Sequence, residues 1–319
     1  MSKGFFAGAG ERQAMSSGRK WGYNGRMTIE TNFRFVAVME EGVVALPIAA
    51  GAAQFDDLLA GLPVGVYSAL RTFDHNRFLY LEAHLARTER SMRLLGWTDT
   101  LDRQRLCAAL HEVVTAVPWP DSRVRFDMLA QPAPEQLGVN GRLLIAAMPL
   151  TPVPAPFYET GVAVGLASGL HRENPLAKTA VFTQQRAAFW QEQHSSLYEY
   201  ILVSDDGHLL EGTSTNFWGV RQGVLYTAGE GVLEGITRKI ILQLATELGI
   251  AVRLQALPVD EIDTLDEAAL SGSSRAFLPV VRIGEQVVGN GRPGPISRQL
   301  LAAYYAFLAR EIRPAVVDK

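Results

Sequence analysis

Leu209-Leu-Glu-Gly-Thr-Ser-Thr-Asn216 decides how this chain is read, together with Leu233-Glu-Gly-Ile-Thr-Arg238 further on. In the first stretch Glu211 follows two apolar residues and precedes a turn of small ones, which places its carboxylate to point into a cavity. A buried carboxylate needs a cationic or N–H partner; a solvent-facing turn is the alternative. In the second stretch Gly235 allows close backbone approach at the start of an apolar-periodic helix. The free N–H groups of Ile236 and Thr237, with the Thr237 hydroxyl, then form an anion site, or else a plain threonine-capped helix start. The helix dipole adds about 0.3–1 kcal/mol for an anion there.

Three further features extend this pattern. Lys178, in Leu176-Ala-Lys-Thr179, sits in a run that is otherwise apolar or small. Burial lowers a lysine pKa, which is what a Schiff-base nucleophile needs, although a snorkelling surface lysine fits the same run. Leu270-Ser-Gly-Ser-Ser274 offers a second set of phosphate donors, or a simple serine turn. Arg87, in His84-Leu-Ala-Arg87, falls on the polar side of an amphipathic helix, where it can fork onto a phosphate. Together the residues supply an amine for an imine, a carboxylate for a protonated ring nitrogen, and several phosphate donors.

Composition excludes several other classes. The 319 residues suit one large domain or two modest ones, and 48% hydrophobic with 20% charged residues is a globular balance. A single cysteine, Cys107, excludes an intrachain disulfide and a cysteine-based zinc site. The six histidines are scattered, so no metal site is expected. A net charge of -3 argues against a general nucleic-acid footprint. The longest near-apolar run, Val43 to Ala53, holds Pro47 and Gly51 and is too short for a bilayer, which needs roughly 20 residues. Residues 1–30 begin with a basic, acid-poor stretch without an apolar core, so the expectation is a disordered leader on a cytoplasmic protein.

Beyond residue 30, strand and helix signals alternate. Strands are predicted over Phe33–Met39 and Gly65–Thr72, with Asn76–Tyr80 as hairpin partner across an Asp74, His75 turn. Helices follow over Leu81–Leu95 and Asp102–Val117, then strands over Arg123–Leu129 and Arg142–Met148. Thr151-Pro-Val-Pro-Ala-Pro156 reads as an extended connector, dividing a domain of residues 31–150 from one of 158–319 across a 151–157 linker. The second half predicts strands at Val162–Leu166, Tyr200–Ser204, Leu209–Glu211, Asn216–Val220, Val224–Thr227, Val252–Leu257 and Val280–Ile283. Its helices are expected at Ala180–His194, Thr237–Leu248 and Ile296–Ile312. Paired strands beside segregated helices indicate an α+β architecture.

The ordered set Phe78–Gly96, Ala177–Thr179, Leu210–Phe217, Val232–Arg238 and Ser271–Val280 resembles the class IV aminotransferases, the fold-type IV enzymes that use pyridoxal 5'-phosphate (PLP). That resemblance implies a smaller N-terminal α/β domain and a larger C-terminal pseudo-barrel domain, in a homodimer. It implies that Lys178 carries the internal aldimine and acts as general base, and that Glu211 pairs with the pyridinium N–H. Arg87, Ile236, Thr237, Ser273 and Ser274 are the implied phosphate ligands, with Leu233 against the ring. The implied reaction moves an amino group between an amino acid or amine and a 2-oxo acid. A PLP-dependent 4-amino-4-deoxychorismate lyase and an inactive PLP-fold binding subunit are the alternatives. Departures concern the substrate side. Where many members have a tyrosine after the lysine, this chain has Phe182 and Thr183, and no arginine lies in Ala130–Gln136. Tyr67, Thr183 and Arg275 are therefore the candidate substrate contacts.

Overall fold

The structure is a computed structural model that describes residues 33–193 and 196–315. The predicted leader and His194 lie outside the described residues. In the first half, β1 (Arg34–Met39), β2 (Gly42–Ala45), β3 (Gly65–Arg71), β5 (Ser122–Leu129) and β6 (Leu143–Pro149) form one antiparallel sheet in the order β2-β1-β6-β5-β3. The strand β4 (Arg77–Leu79) stands apart from it. One face of the sheet is covered by α2 (Leu81–Leu94) and α3 (Arg103–Thr115), through Leu85, Leu106, Leu110 and Val113 against Val124, Phe126 and Ile145. Each such side chain contributes about 1.5–3 kcal/mol on burial. The other face is packed by Phe55 and Leu58 of α1 (Phe55–Leu58) and Leu137 of α4 (Pro134–Leu137).

The second half holds α5 (Ala155–Thr160), β7 (Val162–Ser168), α6 (Val181–Glu192), β8 (Glu199–Val203), β9 (His208–Gly212), β10 (Asn216–Arg221), β11 (Val224–Thr227) and α7 (Ile236–Glu247). It continues with β12 (Val252–Leu254), β13 (Leu257–Pro258), β14 (Glu267–Gly272), β15 (Ala276–Ile283), β16 (Gln286–Val287), α8 (Pro295–Glu311) and β17 (Ile312–Pro314). The path β10-β14-β15-β7-β8-β9 returns to β10 through the pair Asn216 and Glu211, so the sheet closes into a pseudo-barrel. The stretch that decides the sequence reading thus also closes the barrel. Helices α7 and α8 share a core with the sheet through Ile240, Ile241, Leu244, Leu300 and Phe307 against Trp218 and Phe277.

Two backbone ties join the halves. The Lys178 segment lies along the free edge of β3, with Tyr67 N–H donating to the Lys178 carbonyl at 3.0 Å and Ala180 N–H to that of Gly65 at 2.9 Å. The second tie is the pairing of β17 with β4.

Several sequence expectations are corrected. The 76–80 strand is not a ladder partner of β3, whose neighbour is β5; only the bridge Phe73–Arg77 spans the Asp74, His75 turn, both residues having left-handed φ. The connector is extended only to Pro154, because Ala155–Thr160 is helical, and a proline is tolerated in the first turn. The Val252–Leu257 strand is broken between Leu254 and Leu257. The Val280–Ile283 strand starts at Ala276 instead; Pro279 is accommodated because β7 pairs only from Val280 onward. Arg87, expected to reach a phosphate from the polar side of α2, is buried.

Candidate active site

A cavity of about 580 Å³ opens where the β3–β5 pair meets the closing strands of the barrel. Arg87, Lys178, Glu211, Leu233, Ile236, Thr237, Ser273, Ser274, Tyr67 and Arg275 all line it. Thr183 does not: its buried hydroxyl donates to the Ala180 carbonyl at 2.7 Å, within the first turn of α6. The position expected to supply a phenol is Phe182, whose ring is covered by the Arg172 guanidinium at 3.8 Å. The phenol beside the lysine comes from β3 instead, with Lys178 Nζ 4.7 Å from the Tyr67 ring centre.

Lys178 is held from the first half of the chain. Its carbonyl accepts from Tyr67, and its N–H donates to Ser91 Oγ on α2 at 3.1 Å. Burial lowers the Lys178 pKa to about 8, aided by Arg87 and Arg172 and opposed by Tyr67 and Glu211. For Tyr67 burial acts upward, but Lys178, Arg186, Arg125 and Arg172 outweigh it and lower the phenol to about 8.

Glu211 is buried at the barrel closure. Its Oε1 accepts from Arg172 Nε at 2.6 Å; its Oε2 accepts from Asn216 Nδ2 at 3.1 Å and from Leu233 N–H at 3.2 Å. Burial raises its pKa, and the Arg172 charge works against that rise. A carboxylate has about four acceptor sites, so a donor from the cavity can still be received. Arg172 has no local sequence signal, since it lies in a polar loop and meets Glu211 only through the fold. Asn216 is the last residue of the opening motif, and its Nδ2 also donates to the Leu233 carbonyl at 2.8 Å.

The anion end combines three elements. Gly235 is the N-cap of α7, which has no side-chain cap, whereas the start of α8 is capped by Glu267 at 2.9 and 2.7 Å. The first N–H groups of α7 therefore stay open toward the cavity. A Cβ at Gly235 would lie 2.1 Å from Asn216 Oδ1, so glycine is needed there. The Gly272–Ser274 turn follows β14 directly. From the first half, Arg87 donates to Ser68 Oγ at 2.9 Å, and that hydroxyl also meets His84 Nδ1 at 2.9 Å. Burial lowers the Arg87 pKa to about 10, its Nε has no partner, and no ion pair reaches it among the described residues. Burial, Arg87 and Lys178 hold His84 well below its usual pKa, so it is neutral beside that guanidinium. A buried, unneutralised guanidinium beside an uncapped helix start fits a phosphate.

Comparison with known proteins agrees with this geometry. The family model for amino-transferase class IV matches residues 65–283. This chain belongs to the class IV aminotransferase family. It is 27% identical over 272 residues to a D-alanine aminotransferase of Bacillus licheniformis, covering 83% of this chain and 93% of that protein. It is 36% identical to the branched-chain-amino-acid aminotransferase of Escherichia coli over 115 residues, 35% of this chain and 37% of that one. Among solved structures it matches the branched-chain amino acid aminotransferase of Thermobaculum terrenum in its PLP form, at TM-score 0.67 and 22% identity, over 89% of this chain and 98% of that one. The fold is therefore fold-type IV, and the aminotransferase uses pyridoxal phosphate.

Proposed function

We propose that Lys178 is the amine that takes the cofactor covalently and that Glu211 receives its ring N–H. We further assign its phosphate to Arg87, the N–H groups of Ile236 and Thr237, and the hydroxyls of Thr237, Ser273 and Ser274. Leu233, buried at the cavity wall, packs against its ring. When bound, pyridoxal phosphate supplies an aldehyde for an incoming amine and a protonated ring that withdraws electrons. Lys178 Nζ, whose pKa burial lowers to about 8, is the base we assign to take a proton from the substrate carbon and return it. Arg172 and Asn216 fix the Glu211 carboxylate, so that it need not reorient during turnover. The amino group passes from an amino acid or amine to a 2-oxo acid, and the resemblance supports a cytoplasmic homodimer.

The observation that carries this reading is the meeting of Lys178, Glu211 and the unneutralised Arg87 in one cavity. Borohydride reduction of the PLP-loaded protein followed by peptide mapping tests it. A pyridoxyl group on Lys178 is expected; a pyridoxyl group on another lysine overturns the assignment.

A further inference from the structure

Behind the groups assigned to the phosphate lies a second layer of buried polar side chains that touch neither cofactor nor substrate. His84, Arg87 and Ser91 follow one another at spacings of three and four residues on the buried face of α2. Ser91 takes the Lys178 N–H, and Arg87 lines the cavity. Between His84 and Arg87 stands Ser68 of β3, fully buried, with its Oγ 2.9 Å from Arg87 Nη2 and 2.9 Å from His84 Nδ1. A guanidinium can only donate, so Ser68 Oγ accepts from Arg87. Its own hydrogen goes to His84, the other polar group this hydroxyl meets among the described residues. A neutral imidazole that accepts at Nδ1 carries its proton on Nε2.

His84 also lines a small chamber of about 10 Å³, to which Nε2–H is the donor it has left to offer. The chamber shares Thr237 and Ser273 with the large cavity, so it lies directly behind the phosphate end. Its other polar walls are Arg71 and Tyr304 of α8, and apolar side chains such as Leu70, Leu79 and Ile240 close the rest. Arg71 Nη2 is paired with Asp121 at 2.8 Å, but its buried Nε has no partner. Burial pushes the Tyr304 phenol up to about 12, so it stays neutral, and it is hydrogen-bonded to Thr237. A chamber of about 10 Å³ just admits one water, and a buried water makes about three hydrogen bonds. The donors His84 Nε2 and Arg71 Nε and the acceptor oxygen of Tyr304 supply that number.

We propose that His84 is a positioning residue for the cofactor phosphate: it aims Arg87 through Ser68, and through one water bound in the chamber it fixes the Tyr304–Thr237 pair. This rests on the phosphate assignment made above. With Ser68 and Tyr304 satisfied from behind, Tyr304 donates to Thr237, and the remaining hydrogens of Arg87 and Thr237 are left to point at the phosphate. The cup then meets the anion without reorienting.

Pyridoxal, which lacks the phosphate, separates this role from a structural one. Apo wild type and variants are titrated with PLP and with pyridoxal, followed by absorbance. The wild type is expected to bind PLP far more tightly than pyridoxal; equal affinities there would fell the phosphate assignment, and the proposal with it. His84→Leu is expected to weaken PLP binding at least tenfold and to leave pyridoxal binding within twofold. Ser68→Ala removes a single hydroxyl, is expected to show the same selective loss, and decides the matter should His84→Leu not fold. Unchanged PLP affinity in either folded variant, or PLP and pyridoxal affinities that fall together, overturns the proposal while leaving the phosphate assignment standing. A crystal structure of the PLP-loaded wild type needs no variant. One ordered water within hydrogen-bond reach of His84 Nε2 is expected, and a dry chamber overturns the proposal.

Discussion

Lys178 and Glu211 both keep a charge where the fold disfavours it, and this has measurable costs. The folded pKa of Lys178, about 8, lies below its unfolded value of about 10.4, so between them the unfolded chain binds more protons. The stability penalty is then full below pH 8 and fades as pH rises toward 10.4. Lys178→Met should therefore melt a few degrees above wild type as apo protein at pH 7, with the gap narrowing at pH 9.5. A lower melting temperature at pH 7 would show that the ammonium stabilises the fold through Tyr67. Glu211→Gln keeps the shape but removes the charge that faces Arg172 and that we propose receives the ring N–H. Turnover should drop roughly 10²–10³-fold, the usual cost of removing one preorganised electrostatic contact, and near-normal turnover would contradict the assignment. Locally, each of the two residues also fits a surface position, and it is the ordered set of motifs around them that singles them out. Arg172 gave no such signal, since an arginine in a loop becomes anomalous only when its neighbours in space are known.

At the scale of elements, the start of α7 carries the most information. Gly235 leaves no room for a methyl group beside Asn216, and Asn216 in turn holds Glu211 and the Leu233 carbonyl. Gly235→Ala must displace Asn216, a strain that typically costs about 1–3 kcal/mol. We expect a lower apo melting temperature together with at least a tenfold rise in the PLP dissociation constant, read by titration. A variant that binds PLP like the wild type would show that the loop can move without disturbing the cavity. The longer helices α2, α3, α6, α7 and α8 and this cap were readable from periodicity and from glycine placement, whereas the short α1, α4 and α5 were not. Strand β14 was not outlined, because Glu267-Ala-Ala-Leu-Ser-Gly272 lacks β-branched residues and owes its form to pairing on both sides. The hairpin assigned to residues 76–80 failed for a related reason: turn chemistry marked the bend, but β5 took the ladder position.

Across the whole molecule, the cavity belongs to neither sheet alone. The small sheet contributes Tyr67, holds the lysine segment on its edge and packs α2 with Arg87; the closed barrel contributes Glu211, the α7 cap and the Ser273 turn. Cofactor affinity and the joint stability of the halves are therefore linked, since a ligand that binds only the folded form stabilises it by mass action. The order of motifs showed the family resemblance, but the barrel closure and the edge contact of Lys178 are long-range pairings that no local stretch encodes.

PLP titration of apo wild type and of Arg87→Ala, with thermal melts of both forms, tests this shared site most directly. Each charge-assisted hydrogen bond is worth about 1.5–3 kcal/mol, and about 1.4 kcal/mol is a factor of ten. Arg87→Ala should weaken PLP binding at least tenfold and lower the holo melting temperature more than the apo one. Unchanged affinity would contradict the account, because the first half of the chain would then have no hold on the phosphate.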